Sequence, residues 1–285
     1  GGDVQSALIA TGAGVLVVGV LIFGHELGHL LAAKSVGIAV LRFSFGLGPR
    51  TPIGLRVGDT DYCLSWIPFG GYVKMAGLVD EPMEDIPEGQ PGVVPHRTFD
   101  AKPLWARVWV IGAGVIMNAL FAVLVYSVVA FAYGVADGPT EAWRASPHVP
   151  VRSVGPIVAI SNGVEQAARD AGVVVSTLKG LVLGQVSPRD LGGPILISKL
   201  SGEVARQGLE QLLRLMAFLS MNLAVLNLLP LPLLDGGHLV FLVIEVARRR
   251  PLTLRQRWAA MQVGLFVLAG IMLLALSNDL MRPTG

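Results

Sequence analysis

Two histidines and a glutamate lie close together in the first long apolar stretch of this 285-residue chain. His25 and His29 are four residues apart, so in an α-helix their imidazoles project from one face at the spacing of two zinc ligands. Glu26 lies beside them, where a carboxylate can accept a proton from a metal-bound water. Because catalytic zinc usually has three protein ligands and one open position, the pattern predicts a third ligand elsewhere in the chain.

The best candidate for the third ligand is Asp235, which follows a proline-rich break. Pro230 and Pro232 each remove a backbone donor and clash with the preceding helical turn, so a helix must unwind there. Broken backbone at membrane depth is stable only when it is buried in protein or lines a wet cavity, and a bound cation explains a carboxylate beside it. The alternative is that Asp235 caps the following helix. His238 is a weaker candidate for a fourth ligand or for a hydrogen-bond donor to a ligand.

The composition is that of a polytopic membrane protein. Hydrophobic residues make up 53% of the chain and charged residues only 15%, and the mean hydropathy is +0.63. The net charge of +2 is too small to indicate nucleic acid as a partner, and one cysteine excludes an internal disulfide or a cysteine-based metal cluster. Four segments are long enough to cross a bilayer, roughly 7–36, 105–135, 209–231 and 259–276.

These spans place the histidine pair at membrane depth, where ionisable side chains are expensive and mark functional sites. The orientation follows from basic residues that crowd one short loop near the C-terminus. By the positive-inside rule that loop is cytoplasmic, which makes the 36–104 connection cytoplasmic and places the 136–208 connection and both termini outside. The basic residues of the loop are Arg248, Arg249, Arg250, Arg255 and Arg257.

Both long connections contain predicted secondary structure. In the first, at about 37–103, β-like runs at 55–57 and 62–67 flank Gly58-Asp59 and predict a hairpin or small curved sheet. This sheet either re-enters the membrane, packed on the helices, or stays in the cytoplasm. In the second, apolar residues recur at helical spacing over about 164–183, which predicts an amphipathic helix on the outer surface or a small helix packed on the spans.

The two site motifs together resemble the signature of site-2 proteases, the intramembrane zinc metalloproteases, and are most similar to the bacterial regulator of sigma-E protease type. The motifs are His-Glu-Leu-Gly-His at 25–29 and Asn-x-x-Pro-x-Pro-x-Leu-Asp-Gly at 227–236. The resemblance implies a mainly α-helical membrane protein with four spans, and Zn²⁺ held by His25, His29 and Asp235. Supporting stretches are 43–49, 67–75, 112–118 and 192–194.

The resemblance also implies a function and a location. Such enzymes hydrolyse a peptide bond in the transmembrane segment of single-span proteins in the bacterial inner membrane, with the active site nearer the cytoplasm. Expected substrates are anti-sigma factors already trimmed outside and remnant signal peptides. It further implies that 57–75 forms a membrane-reentrant β-loop, and that Asn222 and Asn227 contact the unwound substrate.

The domain organisation departs from the resemblance in one place. Relatives of this type carry one or two PDZ domains between the second and third spans, whereas 136–163 is too short for a domain with its own core. We expect two spans with the β region in residues 1–135. We expect a connection without the PDZ module in 136–208, and the last two spans with Asp235 in 209–285.

The chemistry expected of these residues is direct attack by water, with Glu26 as the proton acceptor. A substrate helix must first unwind, and a strand edge at 62–67 or at 70–75, the latter with Tyr72 and Val73, is predicted to pair with its backbone by β-addition. Asn222 or Asn227 is the expected donor to the developing oxyanion, with Asn118 as an alternative. The competing interpretation is a zinc-binding membrane transporter or sensor without hydrolytic activity. A hydrolase needs a carboxylate such as Glu26 that does not bind the metal, whereas a transport site gains little from it.

Overall fold

The computed structural model describes residues 2–78, 95–136, 151–187 and 192–281, and in these the chain is mainly helical. The helices are α1 (Gly2–Ser35), α2 (Leu104–Tyr133), α3 (Pro156–Val182), α4 (Pro194–Gln207), α5 (Leu209–Asn227), α6 (Asp235–Arg248) and α7 (Leu254–Met281), with a 3₁₀ turn at Pro95–Arg97. The strands are β1 (Val40–Val57), β2 (Thr60–Met75), β3 (Val135–Ala136) and β4 (Val151–Arg152).

Four helices are long and apolar enough to cross a membrane, which confirms the four predicted spans. They are Thr11–Ser35 of α1, Leu104–Tyr133, Leu209–Asn227 and Leu254–Met281. The third ends at Asn227, four residues before its predicted end, because the unwinding begins ahead of the prolines. The fourth begins at Leu254, so Arg255 and Arg257 belong to its first turn and not to the preceding loop.

The predicted hairpin is confirmed as the start of a larger, bent antiparallel sheet. The turn is at Gly58, whose φ of 59° favours glycine, and Val57 pairs with Thr60 there. The first part of β1 pairs instead with the last part of β2, with Val40 opposite Met75 and Phe45 opposite Gly71. Residues 42–45 are also in register with 61–64, so three strand segments lie side by side in this part of the sheet.

Two compact units can be distinguished in the described chain, and each is considered separately. The first comprises residues 2–14, 118–136, 151–187 and 198–225. In it α3 presents small residues to α2. A Cβ at Gly163 would collide with the hydroxyl of Ser127 and the carbonyl of Val123, so the two backbones approach closely. Tyr126 of α2 donates a hydrogen bond to the buried carboxylate of Asp170 on α3.

The amphipathic character predicted for about 164–183 extends over the whole of α3, which begins eight residues earlier. Its buried face is formed by small residues, Asp170 and Val174, and an apolar face beside it is exposed. Exposed apolar residues on α3 include Ile157, Ile160, Val164, Val175 and Val182. Helix α4 was not predicted, because the turn-forming residues at 187–194 were interpreted as a simple break before the third span.

The second unit comprises residues 15–78, 95–117, 192–197 and 226–281. Its hydrophobic core joins the C-terminal half of α1, the first turns of α2 and the bent half of the sheet. Residues from all three elements are buried, including Ala33, Phe43, Val73 and Val110. This packing fixes the strand that carries Gly71 against the helix that carries the two histidines.

Candidate metal centre

Three potential metal ligands converge in the second unit. His25 and His29 are each 8% exposed on α1, and their Nε2 atoms are 3.2 Å apart. Asp235 is the first residue of α6, and its carboxylate faces both imidazoles. Its Oδ2 is 3.4 Å from His25 Nε2, and its Oδ1 is 3.3 Å from His29 Nε2. The ligand atoms of all three residues lie within 4.8 Å of one another.

These separations fit zinc. Zinc–nitrogen and zinc–oxygen bonds of about 2.0–2.2 Å place the corners of a tetrahedron about 3.3–3.6 Å apart. The two imidazole nitrogens are 3.2 Å apart, and each lies 3.3–3.4 Å from a different oxygen of Asp235, so these contacts are close to that value. Asp235 Oδ2 is also buried without a hydrogen-bond partner in the described part of the chain. A buried carboxylate oxygen is strongly destabilising unless it is paired, and a divalent cation would pair it.

The orientation of His29 is set by the backbone of α2. Its Nδ1 lies 2.8 Å from the carbonyl oxygen of Val110. A carbonyl only accepts hydrogen bonds, so Nδ1 carries the proton and the lone pair of Nε2 faces His25 and Asp235. A hydrogen bond of this kind from the far side of the ring is the usual support of a metal-bound histidine.

Helix α2 can come this close because it has a glycine where it passes the imidazoles. A Cβ at Gly114 would lie 2.5 Å from His25 Cε1 and 2.7 Å from His25 Nε2, and would collide with His29 Nε2. On the facing helix, a Cβ at Gly28 would lie 2.5 Å from the Ala113 carbonyl oxygen. In the sequence, Gly28 and Gly114 are recognisable only as members of the two stretches that carry the family resemblance. The signal for their role was the cluster of small residues at 112–114, which is typical of close helix packing in membranes.

The third ligand is presented by the predicted break between α5 and α6. Leu233 has φ of 106°, a conformation that is strained for leucine. Carbonyl groups of the unwound segment lie close to two glycines. A Cβ at Gly236 would collide with the carbonyl oxygens of Leu228 and Leu229, and a Cβ at Gly264 would collide with the carbonyl oxygen of Pro232. Residue 234, not Asp235, occupies the N-cap position of α6 and makes no side-chain capping bond. The Asp235 carboxylate is therefore directed to the histidines rather than to its own helix end.

Glu26 lies beside the sheet. A Cβ at Gly71 of β2 would be 3.2 Å from Glu26 Cγ and 3.5 Å from Ile22 Cγ2. The Tyr72 hydroxyl accepts a hydrogen bond from Arg42 at 3.3 Å, and Val73 is 4% exposed in the core.

The three asparagines and His238 have different surroundings. Asn222 and Asn118 belong to the first unit: Asn222 Nδ2 donates to the Phe218 carbonyl of its own helix, and the Asn118 carbonyl accepts from Ser220. Asn227 is 8% exposed and ends α5. His238 packs edge-on against Phe241 and is not part of the convergent group found among the described residues.

The comparison with known proteins decides the family. The sequence profile described as Peptidase family M50 matches residues 13–271, which include both site motifs. The chain belongs to this family. The resemblance to site-2 proteases is thereby confirmed, and the chain is a zinc metalloprotease with membrane helices and Zn²⁺ as its cofactor.

Individual relatives of this chain are also named as zinc metalloproteases. A putative zinc metalloprotease of Clostridium perfringens is 30% identical, over 94% of this chain and 98% of that protein. One from Nostoc is 31% identical, over 91% and 92%. The zinc metalloprotease RasP of Bacillus licheniformis is 25% identical, over 94% and 98%. The alignments with the first and the last run over 341 and 411 positions, more than the 285 residues of this chain, so those relatives have residues without a counterpart here.

Proposed function

We propose that this protein is an intramembrane zinc endopeptidase that cleaves a peptide bond within or near the transmembrane segment of single-span membrane proteins. The proposal assigns the zinc to His25, His29 and Asp235. The observation that carries it is the convergence of these ligand atoms within 4.8 Å, with the two histidines on a helix long enough to span a bilayer.

In this proposal Glu26 is the catalytic residue. Zinc held by His25, His29 and Asp235 would supply Lewis-acid chemistry, lowering the pKa of a water to about 7 and polarising the scissile carbonyl. Glu26, adjacent in sequence to the first ligand, accepts the proton of the attacking water and passes it to the leaving amine. Asn227, which belongs to the same unit as the ligands, donates to the developing oxyanion, a contribution of about 3 kcal/mol when one such donor is removed.

The substrate is proposed to bind along β2. A transmembrane helix hides its carbonyls in i to i−4 bonds and must unwind before hydrolysis, which exposes backbone groups that need partners. Residues 71–75 pair with 40–45 on one side and offer Tyr72 and Val73 main-chain groups for β-addition on the other. The contact between Gly71 and Glu26 supports this, because it brings that strand to the proton acceptor. Main-chain pairing favours broad specificity for spans that unwind easily.

The proposed setting is the bacterial inner membrane. The arginines at 248–250 favour a cytoplasmic loop, which places both termini outside and the zinc toward the cytoplasm. By family analogy the substrates are anti-sigma factors and remnant signal peptides. The PDZ module is proposed to be absent, in keeping with the greater length of the alignments to the relatives. A transporter or sensor using the same ligands is disfavoured by membership of a peptidase family.

The experiment that tests the proposal is Glu26→Gln. Since glutamine has nearly the same shape but cannot accept the proton, we expect bound zinc to remain and cleavage of a reconstituted single-span substrate to fall at least about 100-fold. Metal analysis of the purified protein and a gel-based cleavage assay give the two readouts. Glu210→Gln on α5 is the matched control and should retain both. A wild type without zinc, or full activity in Glu26→Gln, would contradict the proposal.

A further inference from the structure

A second group of charged side chains lies in the second unit, away from the proposed zinc site. It links Arg107 of α2, Glu245 of α6, Arg257 of α7 and Asp100 in the connection before α2. Arg107 Nη2 is 2.7 Å from Glu245 Oε2, and Arg257 Nη2 is 2.7 Å from Glu245 Oε1. Asp100 accepts from Arg257 at 2.9 Å. Glu245 is 7% exposed and Arg257 is 4% exposed, so this is a buried ionic cluster.

Glu245 is the centre of the cluster. Its Oε1 also accepts a hydrogen bond from the backbone N–H of Leu252 at 3.0 Å. Burial alone would raise the pKa of Glu245, but the bonds from Leu252, Arg107 and Arg257 outweigh it and hold that pKa below its usual value. Removing one member of a buried ionic group leaves the others uncompensated, which makes such groups resistant to displacement. Glu245 therefore anchors its helix firmly to α2 and α7.

The two helices joined by Arg107 and Glu245 are the ones that support two different zinc ligands. Helix α6 begins with Asp235, and Glu245 lies ten residues later, about 15 Å along the axis. Arg107 lies one turn before Val110, whose carbonyl accepts the hydrogen bond from His29. The bond between Arg107 and Glu245 thus connects the helix that orients one ligand to the helix that supplies another.

The start of α6 is held differently. It is joined to α5 through the unwound segment, where Leu233 has a strained φ of 106°, and carbonyls of that segment lie against Gly236. No continuous helix carries the position of Asp235 over from α5, so it depends on these local contacts and on the anchor at Glu245.

We propose that Glu245, held by Arg107 and Arg257, is a positioning residue for the zinc ligand Asp235. This rests on the proposed metal site. Groups hydrogen-bonded directly to metal ligands change metal affinity about 10- to 100-fold when they are substituted, and a group that acts through a helix is expected at the lower end of that range. Glu245→Gln removes the charge and turns an amide N–H₂ toward arginine donors, so we expect zinc affinity to fall at least about tenfold.

The test is a double-mutant cycle on zinc affinity, measured by competition with a chromophoric chelator on the purified full chain in detergent. If Glu245 acts through Asp235, its substitution should change affinity by less than about twofold when Asp235→Asn has already weakened that ligand. An equal fold-change in both backgrounds, or an unchanged affinity in Glu245→Gln alone, would overturn the proposal.

Two further variants separate positioning from general stability. Glu210→Gln removes a partly buried carboxylate that Arg214 contacts at 2.8 Å, and should leave zinc affinity unchanged. Arg107→Lys keeps the charge and serves if Glu245→Gln does not fold; it should weaken zinc binding in the same direction. Cobalt absorption adds a readout of ligand geometry. A lower unfolding temperature with an unchanged cobalt spectrum and zinc affinity means a structural role only. A wild type that binds no zinc refutes the proposed function itself.

Discussion

At the scale of single residues, the proposed zinc site depends as much on missing side chains as on the ligands. Gly114 lets the backbone of α2 lie against both imidazoles, and Gly28 lets α1 approach α2 at Ala113. The Val110 carbonyl reaches His29 only because of this approach. A methyl group at 114 occupies the space of His25 Nε2, so it must push the rings apart.

Gly114→Ala should therefore abolish or greatly weaken zinc binding. Overpacking by one methyl group in a rigid site costs about 1–3 kcal/mol, which corresponds to roughly a 5- to 150-fold loss of affinity if it falls on the metal. Gly112→Ala is the matched control, since a Cβ there meets only Ile116 Cδ1 at 4.0 Å. The measurement is zinc content after dialysis against a chelator. Equal zinc retention by the two variants would show that the contact is not limiting.

The sequence was sufficient to predict the convergent side chains but not the groups that hold them. His25, His29 and Asp235 are found from residue type and helical spacing, and the structure brings them together. Their roles as ligands and that of Glu26 as proton acceptor stay predictions, as do the contacts of Asn222 and Asn227 with substrate. The supporting group of Val110 is a carbonyl, which every residue has, and Arg107, which joins Glu245 to α2, lies 138 positions away along the chain. No local pattern reveals such contacts.

At the scale of elements, the bent sheet decides how a substrate would reach Glu26. The local hairpin at Gly58 was predictable because the turn and the flanking β-branched and aromatic residues are adjacent in sequence. The second pairing, of 40–45 with 71–75, was not, because it depends on bends at Gly46 and Gly70, whose φ values of 96° and 98° are set by the fold. This second pairing brings Gly71 to α1.

Tyr72→Pro tests the strand-edge proposal. Proline has no N–H and cannot donate to an added strand, so we expect at least about tenfold slower cleavage of a single-span substrate with zinc content unchanged. Tyr72→Phe is the control, because it removes only the hydroxyl that accepts from Arg42. Cleavage and zinc are measured on the same preparation. Parallel loss of both would indicate a damaged fold and count against β-addition.

At the scale of the whole molecule, the buried ionic cluster links global stability to pH. The pKa of Glu245 is lower in the folded chain than its ordinary value of about 4.3, mainly because hydrogen bonds from Leu252, Arg107 and Arg257 overcome the effect of burial. A depressed carboxyl pKa stabilises the fold fully above the unfolded value. That stabilisation is lost as the pH falls through the folded value.

Wild type should therefore lose thermal stability as the pH falls below about 4, and Glu245→Gln should lose less over the same interval. The measurement is the unfolding temperature of the metal-free protein in detergent between pH 3 and 7. Glu210→Gln, whose carboxylate is only partly buried, should follow the wild-type profile. Identical profiles for wild type and Glu245→Gln would show that protonation of this carboxyl does not cause the fall in unfolding temperature at low pH.

The unwound segment before Asp235 has a consequence for biosynthesis. Asp235 lies more than 200 residues after His25, and the carbonyl of Pro232 rests against Gly264 in the final helix. A nascent chain emerging from the ribosome can thus present its paired imidazoles long before their carboxylate partner is seated. With Asp235 as the proposed third ligand, the zinc site is complete only after the unwound segment and the final helix have been synthesised.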